Sequence, residues 1–599
     1  MRPSIPTLVT GGLFLLGGCG QPASSTSGPE PVTDGPLDTD SDTESLDTGT
    51  PVGTVPTVPT DGDLSALAVP PPSTVENGLF STADACATCH DNADGADAMR
   101  DGRGEGVAPF DLWQGSMMAN SARDPLWRTQ VAAEVAATPA AAETIEAKCA
   151  RCHAPMASEN AVHAGSASVG LATLTDPGPE GALARDGVSC TLCHQIAADG
   201  LGDPASFSGG YAVAGDGRVF GLHEQPFDHP MVKHSGFTPV ASDHMVASEL
   251  CATCHTLTTH ALDATGAPTG GQVVEQGPYL EWLLSDHRDE TSCQGCHLPT
   301  DDEDGQPIET AIAHNPSGRD FPPVSARRPF GRHLLVGGNT LVPQLLRDHR
   351  ATLQLLASDE ALDATVAAAR QQLEQRTATV SVEGPVRTGD ELGFAARVDV
   401  FTGHKLPTGI PIRRAWLQTT VVDADGAVVF RSGASDEAGR LVDDDGGVLD
   451  SERRCGPVMP HVTQVVSAEQ VPVYEAVLAD AEDAPTWLLL RGEGWAKDNR
   501  LLPRGFDRDQ AAASGIAPVG VEGDDDFVGG SDTVHYLLDV TGAPAPLHVE
   551  VALVYQAASA RWLDELAASG TDEARALDRM LATADLSPVV VASAEASVP

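Results

Sequence analysis

One pentapeptide pattern, Cys-x-x-Cys-His, occurs five times: CATCH (Cys86, Cys89, His90), CARCH (Cys149, Cys152, His153), CTLCH (Cys190, Cys193, His194), CATCH (Cys251, Cys254, His255) and CQGCH (Cys293, Cys296, His297). This is the attachment sequence of c-type haem. Thiols three residues apart both reach one porphyrin edge, and the adjacent imidazole lies under the ring as the proximal iron ligand. Zinc ribbons and thioredoxin-like dithiols also use paired cysteines. A zinc site has no need of His directly after each second Cys, and a redox dithiol seldom recurs five times. Five covalently bound haem c groups are therefore expected. They constrain the fold, because five porphyrins supply much of the apolar core that side chains would otherwise provide.

Ten of the 12 cysteines sit in these motifs, leaving Cys19 and Cys455. A disulfide is available only if those two pair with each other or with another chain. The N-terminus carries Arg2, an apolar run from Ile5 to Leu16, and then Gly17, Gly18 and Cys19. The run is too short to span a bilayer and ends in small residues, as signal peptides do. Leu16 to Cys19 resembles a bacterial lipobox, which implies a lipoprotein signal peptide over 1–19 and lipidation of Cys19. An ordinary signal peptide cut nearby is the alternative. Gly20 in place of Asp implies, by resemblance to lipoprotein sorting rules, the outer membrane, on its periplasmic or surface side. Export agrees with haem c, which is attached outside the cytoplasm. The net charge of −49 excludes nucleic acid as a partner, since phosphate binding needs clustered Lys and Arg. It suits redox partner proteins with a basic docking face, and it also serves solubility alone.

Composition divides the chain. Residues 20–78 are rich in Pro, Thr, Ser, Gly and Asp, and no Lys or Arg occurs from Pro3 through Met99, so a disordered acidic tether is expected. Residues 79–350 hold all five motifs. Their first cysteines fall at 86, 149, 190, 251 and 293, so steps of two motifs span 104, 102 and 103 residues. That alternation, with Arg185-Asp186 before CTLCH and Arg288-Asp289 before CQGCH, points to a duplicated two-haem module. Short helices are expected under several motifs, one capped by Thr138 with Pro139 at its first position and running into CARCH. Helical spacing of Leu and Ala over 340–376 predicts a helical connector, assigned to 351–376. From 377 to 599 the period becomes two, in TATVSVEGPV, ELGFAARVDVF, AWLQTTVV and PLHVEVALVY, with a hairpin turn at Asp423–Gly426. The expected fold class is α+β and multidomain: a haem-packed, mostly α or irregular part, then an all-β sandwich with one late helix at 572–584.

A low-spin haem needs a second axial ligand, usually His or Met. Within the motif-bearing part the better placed candidates are His234, His244, His314 and His333, ahead of His163, His223, His229, His260 and His287. A lone His is more often a surface or core residue than a ligand. The turn GHKLPTG (Gly403 to Gly409) holds an exposed-looking His404 between prolines and glycines, as a further ligand, a docking element, or only a connector of strands.

The segment Trp113 to Met118 (WQGSMM) resembles the W-x-x-S-x-H element that follows the first motif in many multihaem cytochromes. There the His is a distal ligand; here Met118 stands in its place, as a ligand or as core filler. With CHAPM, GVSCTLCH, SELCATCHTL, EWLLSD, RHLLVGGN, GHKLPTGIPIRRAWL, KDNRLLPRGFD and ALVYQ, the chain resembles the multihaem (pentahaem) cytochrome c family related to the tetrahaem electron carrier of ammonia-oxidising bacteria. The resemblance implies electron transfer through closely spaced, mostly bis-His haems. The expected function is an exported, lipid-anchored electron carrier between redox partners, a carrier ahead of an enzyme. The alternative is a multihaem oxidoreductase acting on a small nitrogen or sulfur compound at one five-coordinate haem. All five motifs are plain CxxCH, and the motif-bearing part has few Tyr, which weighs against catalysis. A third reading makes the β part a binding module, with Cys455 beside Arg453 and Arg454 as a reactive thiol or an incidental cysteine.

Overall fold

Alternation of apolar and polar residues builds the C-terminal half. The computed structural model describes residues 61–599. The signal peptide, Cys19 and the first part of the tether lie outside the described residues. In the strand Glu391–Val400 (β2), Leu392, Phe394, Ala396 and Val398 are all buried while the residues between them are not. β2 pairs on one side with Ala378–Thr388 (β1) and on the other with Ser531–Asp539 (β5). The opposite sheet centres on Arg414–Val422 (β3), flanked by Val473–Ala479 (β4) and Leu547–Gln556 (β6), with Val589–Val598 (β7) at its edge. Leu417 and Val421 of β3 and Val549, Val551 and Leu553 of β6 share one core with the inner residues of β2 and β5. Thr419 donates to the Tyr536 hydroxyl across this core at 2.9 Å. The Asp423–Gly426 turn forms as expected: the Asp423 carboxylate accepts from Asp425 and Ala427 N–H, and Gly426 takes φ +80°. The α+β class and the sandwich character are as read from the sequence.

The connector is three helices, Val342–Asp348, Arg350–Leu353 and Asp359–Arg376, broken where Gln354 adopts φ +49°. The late helix is Asp572–Leu581, and a second helix, Ala560–Ala568, precedes it. Both pack away from the sandwich core. Trp562, Leu563, Leu566, Leu577 and Met580 join Leu345, Leu346 and Leu362 of the connector and Ala133 and Ile145 of the motif-bearing part. Trp562 Nε1 donates to Gln130 Oε1 at 2.9 Å. The two halves therefore interlock, and Asp61–Pro599 is one compact unit.

The tether reading needs correction over 61–78. Asp61–Leu67 is a 3-10 helix, Leu64 and Leu67 are buried against the C-terminal helix Asp572–Leu581, and Val69 and Val75 are buried beside the motifs. Arg128 Nη1 donates to the Leu67 carbonyl at 2.7 Å. Polar composition hid four spaced apolar residues that find partners far along the chain. Among the described residues, no helix is long and apolar enough to cross a membrane.

Glu134 lies buried at the seam, accepting from the Leu489 and Leu490 N–H groups and from Gln130 Nε2. Burial pushes its carboxyl up to about 7. A carboxyl raised above its unfolded value of about 4.3 stabilises fully below that pH, and the contribution is lost as pH rises through the folded value. Urea titrations should show stability falling between about pH 4 and 7, by at most about 1.4 kcal/mol per pH unit from this group. Glu134→Gln should remove that part of the slope; an unchanged slope would mean that Glu134 is charged in both states.

Candidate functional site

All five motifs end short helices: Ala83–His90, Ala142–His153, Cys190–Cys193, Ser248–His255 and Cys293–His297. Residues three and four apart share one helix face, so both thiols and the imidazole of each motif project together. The CARCH helix is entered through a 3-10 turn, Pro139–Ala141, directly after Thr138. Ser292 caps the CQGCH helix by accepting from Gly295 N–H. Asp186, four residues before Cys190, accepts from Ala83 N–H at 2.9 Å and so fixes the start of the CATCH helix at Cys86.

The imidazoles are oriented from behind. Nδ1 of His90 donates to the Ile312 carbonyl (2.9 Å), His153 to Ser121 (3.1 Å), His194 to Phe220 (2.6 Å) and His297 to Val336 (2.8 Å). A carbonyl only accepts, so Nδ1 carries the proton and Nε2 keeps its lone pair, the arrangement of a metal-binding His. Burial also pushes His153 and His255 down to about 4, and lowers His90, His194 and His297, so all five rings are neutral near pH 7. The Trp127 ring stacks on His153 with centroids 4.5 Å apart.

Thiols of different motifs are neighbours: Cys86 lies beside Cys190, Cys152 beside Cys254, and Cys251 beside Cys293. The first two pairings join motifs two apart, along the repeat seen in the spacing; the fifth motif meets the fourth instead of the third. The thiols divide: burial pushes Cys149 and Cys193 up to about 12, whereas the Cys251 neighbour brings Cys293 down to about 7. Among the described residues, no motif gathers three metal-ligand atoms around one point.

The candidate second ligands separate by their hydrogen bonds. His333 donates Nδ1 to the Gly331 carbonyl at 3.0 Å and is pushed by burial to about 4, with His194 and His90 as electrostatic neighbours. His404 donates Nδ1 to the Lys405 carbonyl at 3.1 Å beside His297 and His255, and is half-buried instead of exposed. Both keep Nε2 available. Met118 packs against the buried cluster of Ala83, Trp113 and Ala119. His244 is different: Nε2 donates to the Ile196 carbonyl (3.0 Å) and Nδ1 accepts from Ser242 (2.7 Å). His314 engages the Asn315 carbonyl (2.7 Å) and Asp91 (2.6 Å). Neither has a nitrogen left for a metal in this arrangement, and His234 lies exposed on the helix His229–Ser235.

Whether the site suits haem is tested by what it leaves unpaired. Arg123 Nε, Arg128 Nε, Trp127 Nε1, and Nε and Nη2 of Arg185 are buried donors without a partner. Such groups are costly unless an acceptor reaches them. Guanidinium forks are the donors that take carboxylates, which a porphyrin carries as propionates. The residues fit the group. The backbone carbonyls, Arg123 and Arg128 were missed from sequence, and Arg185 stood out there only as a mark of the repeat.

Two other features of the β part are not centres. His461, Asp524 and Asp532 converge. The Asn499 amide is held by Glu475 N–H and the Val473 carbonyl, so it donates to His461 Nδ1, and His461 Nε2 must give its proton to Asp524 at 2.7 Å. A cation would have to displace that proton. Cys455 takes part in an interaction of its own, which weighs against the reactive-thiol reading.

No family model and no curated protein sequence matches this chain. Among solved structures it is similar to a penta-heme cytochrome c552 from Thermochromatium tepidum, at 16% identity over 87% of this chain and 99% of that one, with a TM-score of 0.48.

Proposed function

We propose that this chain is an exported multihaem c-type cytochrome that passes electrons between redox partners through five covalently bound haems. The observation that carries the reading is the set of CxxCH imidazoles held by backbone carbonyls with Nε2 left to coordinate. Cys86, Cys89, Cys149, Cys152, Cys190, Cys193, Cys251, Cys254, Cys293 and Cys296 would hold the porphyrins, and His90, His153, His194, His255 and His297 would be the proximal ligands. Bound haem supplies one-electron iron chemistry. The chain orients the imidazoles, keeps them neutral and, with thiols of different motifs side by side, brings the centres next to one another. The acidic surface suits a basic redox partner. Cys19 would anchor the chain by lipid in the outer membrane.

A second reading turns on the ligand count. His333, His404 and Met118 keep a donor near the motifs, and any further second ligand would have to come from His163, His223, His229, His260 or His287. A haem lacking a second protein ligand would be open to a small nitrogen or sulfur compound. The reduced protein with and without carbon monoxide separates the readings. A carrier should show five haems per chain and no carbon monoxide shift; one haem binding the gas would overturn the pure-carrier reading. Met118→Ala should open one haem to carbon monoxide, and an unchanged spectrum would make Met118 core filler.

A further inference from the structure

His404 belongs to the sandwich half, yet its surroundings are set from the other half. The turn Gly403–Gly409 follows β2 and rests on the helix Pro278–Leu283, between the fourth and fifth motifs. Glu281 of that helix is fully buried. Its Oε2 accepts from Lys405 N–H at 3.1 Å and from Thr408 Oγ1 at 2.5 Å, while Oε1 pairs with Arg500 at 3.1 Å. Arg500 then pairs with Asp498 at 2.8 Å, and Asp498 with Lys405 Nζ at 2.7 Å. On the other side of His404, Ser285 Oγ donates to the Gly403 carbonyl at 3.2 Å. A Cβ at Gly403 would stand 3.3 Å from Trp282 and 3.4 Å from His287, tighter than most side chains tolerate.

Positions 403, 405 and 408 are thus pinned by one short segment, and the imidazole between them makes only its Nδ1 bond to the Lys405 carbonyl. The quartet Glu281, Arg500, Asp498 and Lys405 has two charges of each sign, all buried. Apolar residues of similar volume often serve stability as well as such a set or better, so stability alone does not account for it. What the quartet provides is a fixed geometry between the halves, and the free group at its edge is His404 Nε2.

We propose that Glu281 is a positioning residue: it holds the Gly403–Gly409 turn so that the sandwich half presents His404 to the centre formed by the fourth and fifth motifs. This rests on the reading of His404 as a second iron ligand. The centre would then be incomplete without the C-terminal half, which explains why a part without any CxxCH interlocks with one that has five.

The test uses the full-length holoprotein, with midpoint potentials and the electron paramagnetic resonance of each haem as readouts. His404→Ala should turn one haem of five high-spin and open to carbon monoxide. Glu281→Gln should shift the resonance and potential of that same haem and leave the other four unchanged. The double variant should match His404→Ala alone. If His404→Ala changes no haem, the ligand reading falls. If it changes one and Glu281→Gln leaves that haem as in the parent, the ligand reading stands and the positioning role falls. Should Glu281→Gln not fold, Thr408→Val decides: it removes one bond to Glu281 and should shift the same haem by less, and no shift would overturn the proposal.

Discussion

Asp498→Ala should destabilise the folded protein by about 3–5 kcal/mol, the range for removing one partner of a buried ion pair. Asp498 is fully buried and joins two cations, Lys405 and Arg500, which are also buried. Burial alone would push its carboxyl up, but Arg500 and Lys405 outweigh burial and bring it down to about 2. Without the carboxylate, two buried cations share only Glu281. The same pairing carries a pH signature. A carboxyl depressed below its unfolded value of about 3.9 contributes fully above that pH and loses the contribution as pH falls through the folded value. Denaturant titrations of the parent should therefore steepen downward between about pH 4 and 2, and the Asp498→Ala protein should lack that component. A loss under about 1 kcal/mol would put the network in the class of surface pairs.

The largest redox effect is expected from the fourth motif. Its Cys251 neighbours Cys293 of the fifth motif, and its Cys254 neighbours Cys152 of the second and Cys193 of the third. The first motif meets only the third by its thiols, with Cys86 beside Cys190. Replacing Cys251 and Cys254 with Ala should remove one haem and divide the remainder into groups that no longer exchange electrons readily. Stopped-flow reoxidation should then split into separate phases. Replacing Cys86 and Cys89 should also remove one haem, yet leave reoxidation in a single phase. Equal behaviour of the two variants would mean that the fourth motif is not a junction.

The parts legible in the sequence are those governed by local chemistry. The spacing within CATCH and CTLCH requires a helical turn, and all five motifs are on helices. Alternation in ELGFAARVDVF and turn chemistry in DADG are equally local. What was not legible depends on distant partners. The carbonyls of Ile312 and Phe220 that orient His90 and His194 have no side-chain signal. His314 is a plausible ligand by position until Asp91, 223 residues away, takes its Nε2. The helix Ala560–Ala568 is short and follows a strand closely, so its Trp562, Leu563 and Leu566 face was read as part of the β region.

The strap at the start of the described chain carries a consequence for how the molecule is made. Leu64 and Leu67 find their burial partly against Ala576, Leu577 and Met580, some five hundred residues later. In a chain exported N-terminus first, all five CxxCH motifs would emerge before that partner does. Long-range closures of this kind are slow, because the loop entropy is lost before the contact forms. The last helix would then act as a late seal, leaving an interval in which covalent attachment could reach every motif while the strap is still open.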